Sequence, residues 1–128
     1  MISKMEHVAV MVTDMERSIK FYSETFRFKV RLRGVRFDRE MAFLYLESHP
    51  SMEIELIQEL KSIGDYSNTG KVNHLAFTVE DIDEAFSYYK EKGIEFLSDE
   101  AKQTLEGGRM FFFSGPDGEL LQLVERGL

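Results

Sequence analysis

The chain states one pattern twice. Residues 7–24 read His7-Val-Ala-Val-Met-Val-Thr-Asp-Met-Glu-Arg-Ser-Ile-Lys-Phe-Tyr-Ser-Glu, and the stretch from His74 to Gly93 begins His74-Leu-Ala-Phe-Thr-Val-Glu-Asp. A shift of 67 places sets His7 on His74, Ala9 on Ala76, Val12 on Val79, Asp14 on Asp81 and Tyr22 on Tyr89. A repeat constrains the fold more than any local propensity, because both copies must form the same supersecondary unit.

Each copy opens with a strand pattern (5–12 in the first) rich in β-branched residues. Thr13 and Glu16 carry the S/T-x-x-E spacing of a helix start. Met15, Ile19, Tyr22 and Phe26 then recur as one apolar helical stripe, matched by Ile82, Phe86 and Tyr89, with Gly93 as the terminating residue. Three short strands follow each helix, at about 28–36, 41–47 and 52–59, and at about 94–98, 108–114 and 119–125. Pro50 and Pro116-Asp117-Gly118 mark turns between the last two strands of each copy. The expected class is α+β, with two βαβββ modules in tandem (about 1–60 and 72–128) forming one curved mixed sheet. Residues 61–71 are the linker, and the modules are expected to share one core within a single domain.

The 67-place offset returns at the far end of each copy, where Glu55 falls on Gln122. The separation from His7 to Glu55 equals that from His74 to Gln122. Four side chains able to bind metal thus occupy two pairs of equivalent positions. Two imidazoles, a carboxylate and an amide oxygen form a mixed N/O set suited to Zn, Ni, Co, Fe or Mn rather than Ca. Composition narrows the alternatives. The absence of cysteine removes disulfides and thiolate chemistry and fits a cytoplasmic setting. A net charge of −7 disfavours nucleic acid as partner. No apolar run is long enough to span a membrane, and Glu6 and His7 interrupt any signal-peptide core. Arg31, Arg33, Arg36 and Arg39 cluster, making Arg33 and Arg36 candidates for a substrate anion, against a solvated face balanced by Asp38 and Glu40. Phe111-Phe112-Phe113, with Phe43 and Tyr45 at matching positions, reads as core with one face lining a ligand trough, and Gly107-Gly108 as a flexible loop over it.

These residues resemble the vicinal oxygen chelate superfamily, which contains glyoxalase I, methylmalonyl-CoA epimerase, extradiol dioxygenases and the fosfomycin and bleomycin resistance proteins. The carriers are His7-Val-Ala-Val, Asp14 to Tyr22, Ile54-Glu55-Leu56, His74-Leu-Ala-Phe, and Gly115-Pro-Asp-Gly118 with Leu121-Gln122-Leu123. The resemblance implies one divalent metal per site, held by His7, Glu55, His74 and Gln122. Chain length and ligand spacing are similar to bacterial glyoxalase I, a lactoylglutathione lyase that moves a proton on a hemithioacetal. There the fourth position is usually a glutamate acting as base. Here Gln122 stands in that place, which leaves Glu55 as both ligand and base. The alternatives are an isomerase like methylmalonyl-CoA epimerase, and a non-catalytic small-molecule-binding or resistance protein. A homodimer is expected, since a short chain leaves open sheet edges.

Overall fold

The structure is a computed structural model and describes residues 1–61, 70–114, 118 and 120–127. The first copy contains β1 (Ile2–Met11), α1 (Met15–Phe26), β2 (Lys29–Arg36), β3 (Arg39–Leu46) and β4 (His49–Glu59). The second contains β5 (Val72–Val79), α2 (Ile82–Glu91), β6 (Lys102–Gln103), β7 (Arg109–Ser114) and β8 (Leu120–Glu125). Two compact units result: His7–Asn73, and His74–Leu128 together with Met1–Glu6. Strand β1 therefore changes unit partway along its length. Among the described residues, no helix is long and apolar enough to cross a membrane.

In the His7–Asn73 unit the strands run β2-β3-β4-β1, with β4 parallel to β1 and antiparallel to β3. Helix α1 covers one face: Met15, Ala42, Leu44 and Leu56 are buried there, with Val10, Ile19, Tyr22 and Ile54 packed around them. Phe26 departs from the expected stripe. It is exposed at the last helical position, edge-on to Phe21. The cap also differs from expectation. Asp14, not Thr13, accepts from the Arg17 amide at 3.1 Å, while Thr13 Oγ1 accepts from the Arg17 guanidinium. Asp81 caps α2 in the same way through the Glu84 amide, so the repeated aspartates are the repeated caps.

In the other unit the order is β5-β8-β7-β6, with β5 parallel to β8. Helix α2 covers Val79, Phe111, Phe113 and Leu123, and Phe86 stacks on Phe111 at 4.3 Å. Each of these apolar clusters lies within its own unit. The reason is that the amphipathic helix of each repeat returns onto its own strands.

The expected strand at 94–98 reduces to one bridge, Phe96 to Phe113. Ser98 turns the chain back on itself by donating to the Glu100 carbonyl. Pro50 is the second residue of β4, with the turn earlier at Glu47–Ser48; Pro116 and Asp117 lie outside the described residues. Most of the linker also lies outside them, but Gly70 donates to the Met11 carbonyl, so its end belongs to the first unit. Gly107-Gly108 is not a flexible loop. A Cβ on Gly108 would stand 2.1 Å from the Glu125 carbonyl oxygen, and its amide is bonded to Thr104. Only glycine permits that approach of two backbones.

Candidate functional site

Strand alternation puts the residues of interest on the face opposite each helix. In the first unit Ala9 and Phe43 are both register partners of Glu55, so all three share a face. His7, two residues before Ala9, shares it as well. The face also carries an apolar cluster: Ala9, Met11 and Ile57 are buried there with Met41 against them. His7 and Glu55 are 3% and 5% exposed, and His7 Nε2 lies 3.2 Å from Glu55 Oε1. Glu55 is not the solvent-facing residue its neighbour Glu53 would suggest by alternation. Both are buried, and each has a cationic or imidazole partner, as a carboxylate withdrawn from water requires.

The second unit repeats the arrangement with one substitution. Gln122 is the register partner of both Ala76 and Phe112, and His74 lies two residues before Ala76. His74 and Gln122 are buried, and Gln122 Oε1 has no hydrogen-bond partner. An amide oxygen withdrawn from water without a donor costs about 1–3 kcal/mol, so its retention calls for an explanation. Each histidine meets the edge of a phenylalanine: His7 with Phe43 at 5.4 Å and 80°, His74 with Phe112 at 5.3 Å and 84°. The fixed sequence offset does not pair these two rings one to one, because the stretch from Phe43 to Glu55 is two residues longer than that from Phe112 to Gln122.

Within the first unit, the buried His7–Glu55 pair could supply two ligands to a metal ion. The His7–Glu55 spacing fits that use. Two donor atoms about 2.1 Å from a common ion, at angles between square and tetrahedral, lie about 3.0–3.4 Å apart. In the other unit, Gln122 Oε1 is a buried acceptor without a donor, which is the state of a group able to serve as a metal ligand.

The arginine cluster is largely committed elsewhere. Arg33 bonds both Glu40 and Glu16, and the Glu40 bond, then the Glu16 bond, hold its guanidinium further above its already high range. Arg36 lies over Phe37, and Arg39 pairs with Glu59. The arginine on the site's own face is Arg31, which bonds both oxygens of buried Glu53.

Known proteins bear on this geometry. The chain is 34% identical to the uncharacterized protein YwbC of Bacillus subtilis, over 98% of this chain and 100% of that protein. It is 28% identical to a lactoylglutathione lyase of Schizosaccharomyces pombe over 96% of this chain, but spans only 47% of that enzyme. In fold it matches the crystal structure of methylmalonyl-CoA epimerase from Mycobacterium tuberculosis, with a TM-score of 0.89 at 20% identity, over 99% of this chain and 90% of that one. Residues 4–123 match the model of the Glyoxalase/Bleomycin resistance protein/Dioxygenase superfamily, and with its paired βαβββ repeats the chain belongs to that family.

Proposed function

We propose that the chain is a divalent-metal-dependent enzyme of the glyoxalase I type, moving a proton on a small 2-oxo or hemithioacetal substrate. The observation that carries this reading is the buried His7–Glu55 contact, echoed at equivalent positions by His74 and the orphaned oxygen of Gln122. His7, Glu55, His74 and Gln122 would hold the ion. Once bound, it supplies Lewis acidity toward a carbonyl oxygen, which makes the neighbouring C–H easier to deprotonate.

The chain's own residues do the rest. Glu55 takes the proton from that carbon and returns it to the adjacent one. Phe43 and Phe112 fix the imidazole planes, and the Ala9, Met11, Ile57 and Met41 wall excludes water from the carboxylate. Gln122 cannot exchange a proton, so the first repeat carries the base. A second reading, epimerisation of an acyl thioester, is favoured by the glutamine in the ligand set, but one carboxylate supplies only one of the two bases it would use.

The test is metal content by mass spectrometry of wild type, Glu55→Ala and His74→Ala. Turnover is measured in parallel on the methylglyoxal–glutathione hemithioacetal and on methylmalonyl-CoA in deuterated water. The expected result is metal loss in both variants and turnover in the wild type alone. Full metal occupancy in both variants with unchanged turnover would refute the proposal. Ligand stabilisation that survives EDTA would favour a binding protein instead.

A further inference from the structure

Two ladders of the first unit, β2–β3 and β3–β4, break close together. The β2–β3 register shifts between Val30 and Leu32, leaving Arg31 as the extra residue. The β3–β4 register shifts between Leu44 and Leu46, beside Pro50, which has no amide hydrogen to give. A bulge re-aims a side chain that simple alternation would send elsewhere. Arg31 is re-aimed onto the site face: its guanidinium lies 5.4 Å from the centroid of Phe43, the ring that also touches His7. Glu53, only 2% exposed, grips its Nε and Nη2, while the Arg31 side chain remains 29% exposed. Where the ladders part there is a cavity of about 390 Å³ lined by Val30, Arg31, Tyr45, Pro50 and Glu53. That volume lies in the range of small-molecule sites. The β7–β8 ladder of the other unit runs without a shift from Arg109 to Ser114, so this feature belongs to the first repeat.

We propose that this cavity is a substrate subsite for a carboxylate at the end remote from the reacting carbon, received by Arg31 and by the Tyr45 hydroxyl. The inference deepens the metal-dependent reading and rests on it for the word substrate. Val30 and Pro50 provide apolar walls for a short stem, and a guanidinium matches a planar two-oxygen anion. One arginine already sharing its charge with Glu53, in a chain of net charge −7, suits a monoanion and not a phosphate dianion. Glu53 is two residues from Glu55 along β4, which sets the carboxylate about 7 Å from the base along the strand.

The experiment titrates butyrate, with neutral butyramide as control, into the EDTA-treated full chain and follows amide and Arg Nε–H shifts by NMR. Metal-free protein separates a failure of the subsite from a failure of the metal centre. Arg31→Met alone strands a buried carboxylate, so the variant used is Arg31→Met/Glu53→Gln, with Tyr45→Phe beside it. The expected result is saturable shifts at Val30, Arg31 and Tyr45 with butyrate only. The double variant should weaken that binding at least about ten-fold, and Glu55→Ala should leave it unchanged. Equal shifts with butyramide, butyrate binding that persists in the double variant, or shifts confined to His7, Glu55 and His74 would overturn the proposal.

Discussion

Replacing Gln122 by leucine should raise stability without metal and forfeit most or all of that gain with it. In the metal-free chain the buried Oε1 has no donor, so an apolar side chain of similar volume should stabilise folding by about 1–2 kcal/mol. Metal offsets that lead. With free metal at 100 times the wild-type Kd, binding adds about 2.7 kcal/mol. If losing one ligand weakens binding roughly 10- to 100-fold, the variant gains only about 0.4–1.4 kcal/mol under the same conditions. The variant should therefore lead in EDTA and lose about 1.3–2.3 kcal/mol of relative stability when metal is added. Urea unfolding of both proteins, with and without saturating metal, reads the four values directly. An equal metal bonus in both proteins would refute ligation by Gln122. A variant less stable by more than 1 kcal/mol in EDTA would refute the claim that its oxygen is unsatisfied.

Other outcomes follow from named contacts. Glu55→Gln keeps the shape of the side chain but removes the base, and should lower kcat at least about 100-fold in a turnover assay. Arg31→Met should cost about 3–5 kcal/mol by leaving Glu53 buried and uncompensated, with Arg31→Met/Glu53→Gln recovering most of it in urea melts. Gly108→Ala should prevent soluble expression or lower the Tm sharply, because the atoms a Cβ would strike are backbone. Sedimentation velocity should find twice the 14.9 kDa chain mass, with the exposed Val35 of edge strand β2 and nearby Phe37 covered; a monomer would refute the homodimer.

The sequence exposed those parts of the site that the duplication preserved. His7, Glu55, His74 and Gln122 stand at one constant offset, and both helices show the 3.6-residue period plainly. What stayed hidden depended on broken registers. The Phe43–Phe112 equivalence is lost because one hairpin carries two more residues, and a fixed offset cannot see a change in loop length. Arg31 was grouped with its solvent-facing neighbours because alternation assumes an uninterrupted pleat, which the bulge breaks. Sequence does not separate Thr13 from Asp14, which are adjacent and both good caps; backbone direction, not residue type, selects the aspartate. Residues 94–98 are apolar enough for a strand, yet Leu97 is exposed and pairing with β7 is limited to the Phe96–Phe113 bridge and the Leu97 amide's bond to the Phe112 carbonyl.

The divided loyalty of β1 has a consequence for synthesis. Glu6 accepts from Thr78 Oγ1 at 2.6 Å and is paired with Arg126, a partner synthesised 120 residues after it. Until Arg126 emerges, a carboxylate destined for burial stays in water and the opening strand keeps an unpaired edge. The nascent first repeat can close on α1 early, whereas Ile2–Glu6 must wait for the second repeat. Slow translation of the second repeat would lengthen that wait, and with it the time the strand is open to a wrong neighbour.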